Sequence, residues 1–184
     1  MTRPASLLQR EIRQSKPFAS LQQEAVLGLF KTADLIRRLI DAFLDPYGVT
    51  PQQYNVLRIL RGAGDDGITT LAIGGRMIEQ TPGVTRLLGR LEKKGWVRRR
   101  RQTGDRRQVL CWITPKGRKL LAKLDRPMQE RVDTAVSALR SPDLRSLIRS
   151  LDKVRAAHKD RKPSPRDRFT PRRTHEHTRH QSTR

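Results

Sequence analysis

Four consecutive arginines, Arg98 to Arg101, followed by Arg106 and Arg107, form the densest cluster of chemically capable side chains in the sequence. Guanidinium groups stay charged at any physiological pH and present paired donors to phosphates and base edges, so their chemistry is the binding of a polyanion. Between residues 86 and 107 the chain carries ten Lys or Arg against two acids, Glu92 and Asp105. Bond-making chemistry has no comparable footing. No glycine-rich phosphate loop, paired-carboxylate site or nucleophile with a base can be assembled, and the histidines are His158 and three near the C-terminus, His175, His177 and His180. That histidine group reads as ordinary polar sequence, so no metal, no cofactor and no enzymatic activity are expected. The one cysteine, Cys111, has apolar neighbours and reads as a packed thiol; a single cysteine excludes an intrachain disulfide framework and agrees with a reducing compartment.

The whole chain repeats the theme: 40 Lys and Arg against 18 Asp and Glu leave a formal charge of +22 on 184 residues. Nucleic acid and anionic membrane both suit such a charge. The longest apolar run, Val109 to Ile113, is far shorter than the roughly 20 residues a bilayer requires, so no membrane span is expected. The N-terminal residues are basic but lack an apolar signal core, which points to the cytoplasm. Residues 159–184 hold nine basic residues, three acids and three prolines with no apolar periodicity, and read as a disordered basic tail. Residues 1–19 read as a flexible extension. One domain, 20–158, lies between them.

The elements that must position the arginines are marked by a repeated dipeptide. Thr50-Pro51, Thr81-Pro82, Thr114-Pro115 and Ser141-Pro142 each place a hydroxyl at a helix cap and a proline at the first helical position. Gln53 adds a capping box to the first of these. Upstream, Val26, Leu29, Ala33, Ile36, Ile40 and Phe43 recur at spacings of three and four, which predicts a long amphipathic helix over 20–44. A short helix, Leu71 to Met77 with Thr69 as its cap, contains Gly74-Gly75, which loosens it. The helix from Thr81 puts Val84, Leu87, Leu88 and Leu91 on one face and Gly83, Arg86, Arg90 and Lys93 on the other, and ends at Lys93-Lys94-Gly95. Two strands, Trp96 to Arg101 and Gln108 to Ile113, follow around a turn hinged at Gly104. Leu120, Leu124, Met128, Val132 and Leu139, then Leu144, Leu147, Ile148, Leu151 and Val154, predict two further amphipathic helices within 115–158, the first bent at Pro127. These need a surface to cover, and a second chain together with the long first helix supplies it.

Helix, turn, basic helix and a two-stranded wing is the order of a winged helix-turn-helix: a mainly α fold with a small β-wing, flanked by N- and C-terminal dimerisation helices. Thr81, Pro82 and Gly83 would open the recognition helix to a phosphate, while Thr85, Arg86 and Arg90 face the major groove. Strand alternation sends Arg98 and Arg100 one way and Arg99 and Arg101 the other, so a single pair, Arg99 and Arg101, is expected on phosphate. The segments "TPGVTRLLGRLEKKGWVRR" and "GDRRQVLCWITPKG" closely resemble the MarR family of bacterial transcription regulators, and the order of elements over 20–158 is similar. The resemblance implies six helices plus the wing, an obligate homodimer with interlocked first and last helices, and an inverted-repeat operator in double-stranded DNA. It places the DNA-binding part at about 50–113 and the dimerisation helices at about 20–44 and 115–158. It maps Thr81, Thr85 and Arg86 to base reading and Arg107, oriented by Asp105 and flanked by Arg106, to the minor groove. It also implies a small-molecule effector pocket between the dimer helices and the winged part, with repression the commoner outcome. The competing class is an architectural DNA-binding protein that uses the charge and ignores sequence. Few aromatics, 4% of residues, argue against a surface that stacks single strands.

Overall fold

The computed structural model describes residues 4–79, 83–101 and 108–159. Ser6 Oγ accepts the Gln9 amide at 3.3 Å and opens a five-residue helix, α1, Leu7–Glu11, inside the stretch expected to be a flexible extension. So short a helix leaves no apolar period to read. Ser20 caps the long helix α2, Leu21–Leu44, by accepting the Gln23 amide at 3.1 Å, and a 3-10 turn, Asp45–Tyr47, ends it at Gly48 with φ 63°. The capping box at Thr50 forms as expected, with both bonds at 3.2 Å, and starts α3, Pro51–Gly62. After β1, Ile68–Thr69, the Thr69 hydroxyl accepts the Ala72 amide and starts α4, Thr70–Arg76.

The next helix departs from its predicted start. Helix α5 is Val84–Lys93, with Gly83 at its cap position in the left-handed region at φ 98°, a conformation that glycine adopts without a Cβ clash. No side chain caps it; the Gly83 carbonyl accepts the amides of Arg86 and Leu87 at 2.9 and 3.1 Å. Thr81 and Pro82 lie outside the described residues.

Strands β2, Val97–Arg101, and β3, Val109–Ile113, follow, and β1 pairs with β3, so the sheet has three strands in the order β1-β3-β2, all antiparallel, rather than two. Two residues are too few for alternation to show a strand in sequence. Thr114 caps α6, Pro115–Ala135, which continues unbroken through Pro127. Helix α7, Ser141–Ala156, starts one residue earlier than the Ser-Pro pair predicts: Arg140 takes the cap position and Pro142 falls within the first turn, where its missing N–H costs nothing. Described residues 138–159 belong to a second compact unit, which carries helix α7. Helices α2 to α7 are the six that the resemblance implies, and α1 is an addition to them among the described residues.

The core of the first unit collects Leu44, Leu57, Leu60, Ile73, Leu88, Leu91, Leu121, Leu124 and Cys111, all fully buried. Each such leucine contributes about 1.5–3 kcal/mol relative to exposure. The core thus joins the end of α2, α3, α4, α5, the sheet and α6 around the buried face of α5. The predicted stripe of α2 behaves differently along its length: Ile40 and Phe43 pack on the core, whereas Val26 and Leu29, with Phe30, Leu35 and Leu39, are exposed. No described helix is long and apolar enough to cross a membrane.

Candidate nucleic-acid interface

Helix α5 is split by its own sequence. Leu87, Leu88 and Leu91 are buried, and Val84 packs against the same core. A helix seated on that face must turn the other outward, so Gly83, Thr85, Arg86, Arg90 and Lys93 are exposed. Gly83 brings the chain in so tightly that a Cβ there would lie 3.3 Å from Nε and Nη2 of Arg86. The Arg86 guanidinium therefore lies close to the glycine that starts the helix.

The wing is registered by five pairs, from Val97 opposite Ile113 at its root to Arg101 opposite Val109 towards its tip. Alternation holds, and position along the strand divides the arginines further. Arg99 shares a face with buried Val97 and stands opposite Cys111; its Nε and Nη2 both donate to Oε2 of Glu92 on α5, at 2.8 and 2.5 Å. Arg98, on the other face, stacks over Trp112 at 4.2 Å. The Trp112 Nε1 in turn donates to the Asp65 carbonyl at 3.0 Å, and Gly67, with φ 72°, leaves the ring its room: a Cβ there would lie 2.4 Å from Nε1. The two root arginines are engaged within the fold. Arg98 nevertheless stays exposed, as do Arg100 and Arg101 nearer the tip, whereas Arg99 is half-buried. Asp105, Arg106 and Arg107 lie outside the described residues.

Of the residues read from sequence, the structure brings Gly83, Thr85, Arg86 and Arg90 to one exposed face and Arg101 to the outer wing. Arg99 is placed at the joint between helix and wing, held by an acid. Pattern reading missed its partner, Glu92, although it is the only acid in α5 and lies seven residues before Arg99. Thr114 also does more than cap: its hydroxyl donates to the Gly95 carbonyl at 2.7 Å and accepts the Gly117 amide at 3.1 Å, tying the turn after α5 to the start of α6. A Cβ on Gly117 would lie 2.4 Å from the Trp96 carbonyl oxygen, which explains the spacing of threonine and glycine in that segment. Cys111 is fully buried, and burial pushes its thiol up from the ordinary range, so it remains protonated and poorly nucleophilic near neutral pH.

Comparison with known proteins agrees with this architecture. The MarR family model matches residues 49–109, which run from the cap of α3 into β3. The HTH-type transcriptional regulator TtmR of Methylorubrum extorquens is 35% identical over 106 residues, 58% of this chain and 53% of that protein, so the chain spans about half the length of this relative. The crystal structure of a MarR transcription factor from Planctomyces limnophilus aligns with TM-score 0.59 and 35% identity, covering 74% of this chain and 98% of that one. A cysteine-to-serine mutant of MarR from E. coli, solved in complex with operator DNA, aligns with TM-score 0.64 and 27% identity over 74% of this chain and 99% of that one. Motif, element order and overall alignment converge: the chain belongs to the MarR family.

Proposed function

We propose that this chain is a homodimeric, sequence-specific transcription regulator that binds an inverted-repeat operator in double-stranded DNA and represses by occupying it. It acts by binding in the cytoplasm, not by catalysis. The observation that carries the reading is the single exposed face of α5, where Thr85, Arg86 and Arg90 stand together while the opposite face is locked in the core. A face of that width fits the major groove, where arginine reads guanine O6 and N7 and a threonine methyl meets thymine. That the E. coli neighbour was solved in complex with operator DNA supports a DNA-binding role. Arg101, the exposed member of the pair that alternation turns to one face, then holds phosphate. In this reading residues 50–113 contact DNA, Arg107 enters the adjacent minor groove with Asp105 and Arg106 beside it, and 159–184 adds phosphate affinity. The exposed apolar residues of α2, with Leu147, Ile148 and Val154 of α7, supply the pairing surface for a second copy.

An effector has a candidate seat. A cleft of about 520 Å³ is lined by Ile40, Tyr54, Arg58, Ile78, Met128 and Val132, with the Arg58 guanidinium 5.9 Å from the Tyr54 ring centre. Apolar walls with one cation suit a small aromatic acid.

The test uses a duplex selected from a random pool by the full-length chain. Replacing Arg86 with alanine should cost about 1–3 kcal/mol on that duplex and relax the preference at the bases it reads. Replacing Arg101 with alanine should weaken selected and scrambled duplexes alike and lower the salt slope by about 0.9 for the phosphate no longer neutralised. If Arg86→Ala weakens both duplexes equally, α5 does not read sequence.

A further inference from the structure

The geometry points to Arg99 and Glu92 as positioning residues: an ion pair that fixes the angle between recognition helix and wing, so that Arg99 acts on DNA through Glu92 and not by touching phosphate. The inference rests on the DNA-binding reading above and goes beyond it, since a basic strand beside a DNA-facing helix is ordinarily counted as phosphate-contacting throughout.

Three features support it. Both donors of Arg99 converge on one oxygen, which orients the planar guanidinium as a single hydrogen bond would not. The pair is partly withdrawn from water, with 27% of the Arg99 side chain and 38% of the Glu92 side chain exposed, and Cys111, opposite Arg99 in the ladder, is fully buried. Helix and strand also approach closely at the pair: a Cβ on Gly89, one turn before Glu92, would lie 3.9 Å from Arg99 Nη2, an ordinary contact distance.

The opposite face of the wing root is held in its own way, by Arg98 on Trp112 and Trp112 on the Asp65 carbonyl. Wing and recognition helix must meet one duplex at once, and a binding surface of this kind tolerates errors of only about 0.5 Å or 10–20°. Loss of the strut should therefore erode discrimination between sequences more than bulk attraction to DNA.

Charge makes the test decisive because the two roles predict opposite signs. Glu92→Gln removes an anion close to the bound polyanion. Were Arg99 a phosphate-binding residue restrained by Glu92, the variant would bind all DNA more tightly. As a strut, it should instead lose about tenfold in the ratio of selected to scrambled duplex affinity, with the salt slope unchanged. Arg99→Lys keeps the charge but cannot place two donors on one oxygen, and should lose a similar ratio, whereas simple phosphate binding would survive it. Both are measured by fluorescence titration of the full-length protein at several salt concentrations, with thermal melts to show that the variants are folded; partial unfolding would lower both affinities and leave the ratio intact. A Glu92→Gln protein whose ratio of selected to scrambled duplex affinity is as high as that of wild type overturns the proposal. A wild type that does not discriminate at all overturns the DNA-reading function itself, so the two failures are distinct.

Discussion

At the scale of single residues, the arginines of this chain divide by what holds them. Arg98 and Arg99 are engaged by Trp112 and Glu92 at the wing root, Arg100 and Arg101 are exposed, and Arg86 lies over the glycine that starts its helix. Charge alone gives all of them the same role; geometry does not. For Arg107 the expectation is groove reading, because Asp105 two positions earlier can pre-orient its guanidinium and a narrow A·T-rich minor groove attracts such a cation. Arg107→Ala should cost about 1–3 kcal/mol on the operator and flatten the preference for A·T over G·C at the outer flank of each half-site, read by titrating both flank variants. An unchanged ratio between the flanks means that Arg107 does not read the groove. The sequence disclosed the exposed face of α5 because leucines three and four apart leave only one other side. It concealed the Glu92 partnership, since an ion pair between a helix and the following strand has no fixed spacing that a pattern can reveal.

Elements are joined as deliberately as residues. Helix α3, which carries part of the core under the recognition helix, is linked to α6 by Arg61, whose Nη1 and Nη2 donate to the two carboxylate oxygens of Asp125 at 2.7 and 3.0 Å. The hydrogen bonds from Arg61 hold the Asp125 carboxyl below the usual carboxylate range. A carboxylate so depressed stabilises the fold fully above the unfolded-state pKa, about 4, and that contribution fades as pH falls through the lower native value. Because both side chains are about a third or more exposed, solvent screening limits the pair to about 0.5–1 kcal/mol. Asp125→Asn should therefore lower the melting temperature by a constant amount above about pH 5, and the gap to wild type should narrow as the pH is taken further down. A gap that widens with acid contradicts this pairing. The capped starts of α3, α4 and α6 were legible because a hydroxyl before a helical run has a mechanism. The start of α5 was not, because a left-handed glycine cap offers no side-chain signal, and β1 is recognised only through its ladder partner, Leu110-Cys111.

For the whole molecule, burial is what motivates the proposed pairing with a second copy. The core seats only the end of α2; its preceding turns, with Val26, Leu29, Phe30, Leu35 and Leu39, meet solvent, as do Leu147, Ile148 and Val154 of α7. Surfaces of that kind on a highly charged chain call for a partner of the same chemistry, and two-fold pairing would place two α5 faces on one duplex. The central claim is that this dimer reads sequence. Selection of duplexes from a random pool with the full-length protein, followed by sequencing, tests it directly. The account predicts one shared motif with two-fold symmetry, its half-sites about one helical turn apart, bound by two chains per duplex. Recovery of duplexes with no common motif, held by charge alone, would contradict it and identify the chain as an architectural binder.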